Sequence, residues 1–412
     1  MSKQKLIILG PAHPLRGGLA SFDERLAKQF QEDGFDTTIY TFSLQYPNFL
    51  FPGTTQFSSE PAPQDIKIKV CINSVNPFNW VKVGYQLQKL APAIIVVRYW
   101  LPFMGPCLGT ILRIVKRNKV TKVVCIADNI IPHEKRFGDN LFTKYFTKPI
   151  DAFVTMSKKV LEDLKQFSYK PAHQVLHPLY DNFGEIISKQ AAREHLGLNQ
   201  DDKIILFFGF IRKYKGLDLL LEAMAILKLE EESTKYEVES TKYEVESTNY
   251  EVEKKIDLVD DKQEKRKRIK LLIAGEFYED RKTYDELIEK LDIKESLILK
   301  TDFINDSEVK FYLCAADFVI QPYKNATQSG VTPLAYHFEK PMLVTNVGGL
   351  PDLVPDKKVG LIAEPNAASI AKKIKELYTY GEQHFLPFLQ EEKKKYDWKI
   401  LTNKIKELVV NG

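Results

Sequence analysis

Disulfides, membrane spans, metal clusters and a dominant charge are all missing or scarce in this chain. Only four cysteines occur in 412 residues (Cys71, Cys107, Cys125, Cys314), and none forms a Cys-x-x-Cys pair. That excludes a disulfide scaffold and a zinc ribbon, and reads the four as small buried residues in a reducing compartment. The most apolar long stretch, residues 91–115, is broken by Arg98, Pro102, Pro106 and Arg113, so it makes a poor membrane span. The first apolar run, LIIL, is too short for a signal peptide. Lys and Arg number 59 against 55 Asp and Glu, a net charge of +4 that gives no reason to expect nucleic-acid binding. His13, His173 and His177 show no metal-ligand spacing, so no metal is expected. A cytoplasmic globular protein of two domains is the expectation from length and composition.

What is present is an alternation of apolar runs and helical patterns. LIIL (6–9) leads through a Gly-rich turn to SFDERLAKQFQEDG (21–34), then DTTIYTF (36–42), PAIIVVRYW (92–100), KVVCIA (122–127) and DAFVTMS (151–157). The second half repeats the pattern with KIILFFGF (203–210), LDLLLEAMAILK, IKLLIAGEF (269–277), a helix near 283–292, SLILKTDF (296–303), DFVIQPY (317–323) and PMLVTNVGG (341–349). Apolar strands without strict alternation predict parallel sheets covered on both faces. The fold class is therefore α/β, with two Rossmann-like, doubly wound domains. The expected domains are 1–185 and 186–385, with a terminal helix over 386–412. ESTKYEV occurs at 232–238 and 239–245, and ESTNYEV at 246–252. Such sparse apolar content predicts a charged surface insertion over 229–268, helical or disordered. Recurrence of Tyr and Val every seven residues leaves a coiled-coil contact as the alternative.

Four segments have the composition of ligand-binding loops. GPAHPLRGGLASF (10–22) lacks the G-x-G-x-x-G spacing of dinucleotide enzymes, but Gly17 and Gly18 open a helix where backbone N–H groups receive anions. In FFGFIRKYKG (207–216) a strand ends near Gly209, and Arg212 and Lys215 follow at the carboxyl edge of a parallel sheet. Ligands bind at that edge, and two cations there suit a departing diphosphate. In 321–352, Gln328, Ser329, Gly330 and Val331 open a helix, and Gly348 and Gly349 form a second close-approach turn. CIADNIIPHEKR (125–136) offers Asn129 and His133 to a cleft. Each segment also has a plain reading as ordinary strand–helix turn chemistry.

Taken in order, these segments resemble glycosyltransferase family 4, of GT-B fold. The resemblance runs through the amino-terminal Gly-Gly turn, MSKKVLEDL (156–164), GFIRKYKGLDLLLEA, LLIAGEF, YLCAADFVIQPY, EKPMLVTNVGGLPDLV and the closing YDWKILTNKIKEL (396–408). It implies retaining transfer of a sugar from a UDP- or GDP-linked donor, with no further cofactor, the donor mainly on the second domain and the acceptor on the first. By this likeness Lys215 is the diphosphate-binding lysine, and Arg212 replaces an arginine whose usual place is Phe210. Gly17 and Gly18 close over the donor phosphate, His133 contacts the sugar, and Phe303 and Ile304 hold the base. Arg16 and Asn129 fall on the acceptor side.

One departure is plain. The family's two glutamates, eight positions apart, are replaced by Ala326 and Leu334. That keeps open a nucleotide-sugar epimerase of the same fold and a non-catalytic partner subunit. From residue 113 to 148 there are nine Lys or Arg and three Asp or Glu, with Phe137, Leu141, Phe142, Tyr145 and Phe146 interleaved. A glycan or lipid-linked acceptor, with peripheral contact at the inner face of the plasma membrane, is the expected partner besides the nucleotide sugar.

Overall fold

The computed structural model describes residues 3–47, 55–132, 137–247, 268–326 and 329–411, without side chains at 234–247 and 411. The chain divides into two compact units: residues 1–182, 327–333 and 392–412, and residues 183–326 and 334–391.

The first unit holds a seven-stranded parallel sheet. Its elements are β1 (Lys5–Leu9), α1 (Gly18–Glu32), β2 (Asp36–Leu44), β3 (Lys67–Asn73), α2 (Pro77–Leu90), β4 (Ile94–Tyr99), α3 (Gly105–Val115), β5 (Lys122–Ala127), α4 (Asp139–Thr147), β6 (Ala152–Thr155), α5 (Lys158–Leu164) and β7 (Ala172–Gln174). Strand order is β3-β2-β1-β4-β5-β6-β7. The winding reverses between β1 and β4, so the loops after those strands flank a crevice at the carboxyl edge. β4 is buried at every position, and Val97, Ile111, Cys125 and Phe153 share one apolar cluster. Continuous apolar strands are what burial on both faces requires.

The second unit contains α6 (Lys189–Leu196), β8 (Lys203–Phe208), α7 (Leu217–Ser247), β9 (Ile269–Ala274), β10 (Leu297–Lys300), β11 (Phe318–Gln321), β12 (Met342–Thr345) and β13 (Gly360–Ala363). The order is β10-β9-β8-β11-β12-β13, and its winding reverses between β8 and β11. The helix of the charged repeats continues α7 without a break as far as Ser247, and the repeats beyond that residue lie outside the described residues.

The terminal helix Trp398–Asn411 belongs to the first unit and lies along α1. Trp398 donates its indole N–H to the Leu179 carbonyl at 2.7 Å, and its ring meets Phe22 at 4.8 Å. Thr402 and Lys406 both donate to Asp33, each at 2.7 Å.

Three strands go beyond the sequence reading: β3, β7 and β13. β3 and β7 are edge strands of the first sheet, where β3 is exposed or half-buried at every position but Ile72 and β7 has only three residues. One expectation is corrected here. Cys107, Cys125 and Cys314 are buried, but Cys71 is only half-buried, because edge strand β3 has a neighbour on one side alone.

Candidate functional site

In the second unit the loops that leave the carboxyl ends of the strands hold one another in place. The Gly209 N–H donates to Ala274 O at 2.9 Å, tying the loop after β8 to the end of β9. The Lys324 N–H donates to Tyr214 O at 2.7 Å, tying the loop after β11 to the same segment. Phe210 stacks on Tyr278 at 4.3 Å, and its ring centre is 6.4 Å from that of Phe303, which follows β10. Gly209, Arg212, Lys215, Phe303 and Ile304 thus sit on loops at one edge of this sheet, joined there by Gly348 and Gly349 after β12.

Lys215 is the unusual member. It lies in the short turn Lys213–Lys215 before α7 and is only 9% exposed. Among the described residues its ammonium has neither a carboxylate nor a hydrogen-bond partner, and it stands 5.8 Å from the centre of the Tyr323 ring. Burial, with the Arg212 charge as a smaller contribution, pushes its pKa down to about 7. Arg212 is exposed, its guanidinium 5.1 Å from the Tyr278 ring, and it too has no carboxylate partner among the described residues. Two neighbouring cations without counter-charges form a site that an anion completes.

The glycine turn after β12 depends on the absence of a side chain. Gly348 has φ +54°, and a Cβ there would lie 1.7 Å from the Ala326 carbonyl oxygen. Gly348→Ala is expected to force the loops after β11 and β12 apart and to cost at least about 2 kcal/mol, combining αL strain with the clash. Thermal melting checks this, and an unchanged Tm would contradict the close approach.

The two positions expected to lack carboxylates are apolar in fact as well as in sequence. Ala326 is 3% exposed, and Leu334 is 6% exposed within the helix Val331–His337. A carboxylate that composition alone did not single out lies at the same sheet edge: Glu276, directly after β9 and 6% exposed. Its signal was available, since a Glu closing an apolar strand cannot be buried without partners. Tyr278 and Tyr323 were also missed, and only the ring geometry reveals their place beside the cations.

Residues 329–333 group with the first unit. Ser329 is buried and its hydroxyl accepts from the Val331 N–H at 3.1 Å, while Gly330 lies beside Tyr180. Gln328 and His133 lie outside the described residues.

In the first unit, Gly17 has φ +100° and caps α1, which begins at Gly18. The Tyr180 hydroxyl donates to Gly18 O at 3.4 Å. Arg16 is tied to the loop between β2 and β3, with Nε donating to Thr55 O at 2.7 Å. Asn129 is half-buried in the loop after β5. Behind these loops lies a buried ionic cluster. Arg98, on β4, forms a bidentate pair with Asp128 at 2.5 and 2.7 Å and reaches Asp23 of α1 at 3.3 Å. Its guanidinium covers the Phe22 ring at 3.8 Å.

Part of the basic run 113–148 is occupied internally, while Arg117, Lys119, Lys144 and Lys148 are exposed and Lys135 and Arg136 lie outside the described residues. Arg113 lies 3.6 Å above the Tyr145 ring and donates to Gly109 O and Tyr145 O. Lys116 pairs with Asp151 at 2.7 Å, and Phe146 is buried against Tyr99. Phe137 and Leu141 remain exposed. No helix among the described residues is long and apolar enough to cross a membrane.

Residues 239–384 match the family described as Glycosyl transferases group 1. No curated protein matches at the sequence level. Several solved structures share the fold over nearly the whole chain. A sucrose-phosphate synthase from Thermosynechococcus elongatus has a TM-score of 0.67 at 13% identity, covering 99% of both chains. Alr3699/HepE of Anabaena, solved with UDP-glucose, has a TM-score of 0.69 at 12% identity, covering 99% of this chain and 100% of its own. WaaG, a glycosyltransferase involved in lipopolysaccharide biosynthesis, has a TM-score of 0.62 at 15% identity, over 99% of this chain and 100% of its own. At such identities the likeness is one of fold, and that fold is GT-B.

Proposed function

We propose that this chain, a glycosyltransferase whose residues 239–384 belong to the glycosyl transferases group 1 family, moves a sugar from a UDP- or GDP-linked donor to a glycan or lipid-linked acceptor. The observation that carries the reading is Lys215: a buried ammonium with no counter-charge among the described residues, beside a second unpaired cation. With a pKa near 7 this group is only about half protonated at pH 7, and a diphosphate dianion beside it would favour its charged form. The HepE structure with UDP-glucose supports a uridine-linked donor in a fold of this kind.

As the donor's glycosidic bond breaks, negative charge builds on the departing phosphate oxygen. Lys215, Arg212 and the loop N–H groups near Gly348 and Gly349 would stabilise that charge without a metal ion. The acceptor hydroxyl attacks the anomeric carbon from the face the diphosphate leaves, so configuration is retained, and the departing phosphate takes the hydroxyl proton. Phe303, with Phe210 and Tyr278 beside it, offers aromatic surface to the base. With a lipid-linked acceptor the protein would work at the inner face of the plasma membrane.

Thermal shift with a panel of nucleotide sugars tests the donor. A ligand at a hundred times its Kd stabilises the native state by about 2.7 kcal/mol, a clear rise in Tm. A response confined to one nucleotide identifies it. The absence of any response, with Ala326 and Leu334 standing where glutamates are usual, would favour the non-catalytic partner subunit instead.

A further inference from the structure

Helix α2 is apolar on two faces, and only one of them meets the protein. Trp80, Val83, Leu87 and Leu90 turn inward, and Gly84 fits against Ile114 of α3 with no room for a side chain. On the outside, Phe78 is 88% exposed, Val81 41% and Tyr85 52%. Their spacing of three and four residues puts them in one stripe. Val75, just before the helix, and Val70, on edge strand β3, are also exposed. Helix formation does not need Phe78 there. The first turn is already set by Asn76, whose side chain accepts from the N–H groups of Phe78 and Asn79, and by Pro77. An exposed apolar stripe of this kind, led by a Phe that is almost wholly in solvent, marks a surface that something covers.

Charge says what covers it. Residues 66–127 contain no Asp or Glu, so neither β3 nor α2 carries an acid; of the ten Lys or Arg there, Arg98, Lys116 and Lys67 are paired with acids and Arg113 is held over Tyr145. Lys82 and Lys89 border the stripe on α2 itself. Both are exposed, and neither has an ion-pair partner among the described residues. A second copy of the chain packed stripe to stripe across a two-fold axis would bring Lys82 and Lys89 toward their own copies with no acid on α2 to offset them. An anionic surface of lipid satisfies both features at once.

We propose that the outer face of α2 docks the first unit on an anionic lipid bilayer. Phe78, Val81 and Tyr85 enter the boundary between headgroups and acyl chains, and Lys82 and Lys89 contact lipid phosphates. The proposal deepens the lipid-linked-acceptor reading, since it names the surface that would bring the enzyme to such an acceptor. It assigns this contact to α2 rather than to the run 113–148.

Co-sedimentation of the full chain with vesicles tests it, comparing pure phosphatidylcholine with a mixture containing phosphatidylglycerol. Binding is expected to the mixed vesicles only and to weaken with added salt. The triple variant Phe78→Ser, Val81→Ser, Tyr85→Ser and the double variant Lys82→Glu, Lys89→Glu should each lose about tenfold or more in partitioning, with Tm unchanged because these side chains are exposed. No binding to anionic vesicles, or equal binding by the triple variant, overturns the proposal. So does a wild-type dimer in light scattering that the triple variant converts to monomer, since the stripe is then a protein interface. Vesicle binding involves no sugar transfer, so loss of the glycosyltransfer reading and loss of this one are read out separately. The thermal response to nucleotide sugars in the triple variant should match the wild type.

Discussion

Replacing Lys215 with alanine is expected to lower turnover by about 10²–10³-fold while leaving the protein folded, the usual scale for removing one preorganised stabiliser of developing charge. The two halves of that expectation have separate causes. The kinetic loss follows from removing the cation proposed to meet the diphosphate as it leaves. The unharmed fold follows from the setting of Lys215, which is buried without a counter-charge among the described residues and so contributes little to stability when ionised. An isosteric Lys215→Met change should raise the Tm, and the direction with pH can be worked out. The pKa of Lys215 lies near 7 in the folded chain and near 10.5 in the unfolded one. Between those values the unfolded state binds more protons, so the wild type gains stability as pH rises, and below pH 7 it bears the full penalty. The advantage of the methionine variant should therefore be largest below pH 7 and shrink steadily above it. Enzyme assays with the Tm measured across pH 6–10 check both halves. An unchanged turnover rate would remove Lys215 from the mechanism, and a Tm difference flat with pH would remove the buried charge.

The sequence reveals the sheets more fully than the site, and particular residues show why. β4 and β8 are short runs of apolar residues that only a two-sided parallel sheet can bury, so pattern alone finds them. β3 reads as KIKVCIN, with lysines on an edge strand, and its pairing with β2 lies in tertiary structure rather than in local periodicity. Within the candidate site, Arg212 and Lys215 are legible because cations after a strand are conspicuous. Their lack of counter-charges is not, because it depends on which carboxylates the fold brings near. Asp218, only three residues after Lys215, pairs instead with Lys324 of the loop after β11. Phe210 is a similar case. In the string it is merely the residue standing where an arginine would be usual, whereas in space it joins Tyr278 and Phe303 in an aromatic group at the sheet edge.

The largest stability effect is expected at Arg98, a residue no motif singles out. Its guanidinium holds two carboxylates at the carboxyl edge of the first sheet, Asp128 through two hydrogen bonds and Asp23 through one. Arg98 is 2% exposed, Asp128 5% and Asp23 fully buried. Arg98→Met would fill similar volume but strand the acids without a cation, a change that costs about 3–5 kcal/mol in other buried pairs. The contrasting variant is Asp23→Asn. One cation between two acids leaves the cluster a proton short of neutrality. The proton belongs on Asp23, whose Oδ2 is buried with no hydrogen-bond partner and is pressed so close to Gly10 that a Cβ there would lie 2.1 Å away. Burial raises the Asp23 carboxyl to about 8. The Arg98 charge opposes that rise, and the Asp128 and Glu24 charges add to it. Because the folded state holds this proton between about pH 4 and 8 and the unfolded state does not, stability falls as pH rises through that window, by up to about 1.4 kcal/mol per unit. An asparagine is neutral at every pH and keeps the shape. Asp23→Asn should therefore be no less stable than the wild type at pH 6, where the wild type has already lost part of that stability, and gain further on it by pH 9. Urea unfolding of both variants at the two pH values decides it. If Asp23→Asn is as damaging as Arg98→Met at pH 6, Asp23 is a charged member of the cluster and the proton is elsewhere.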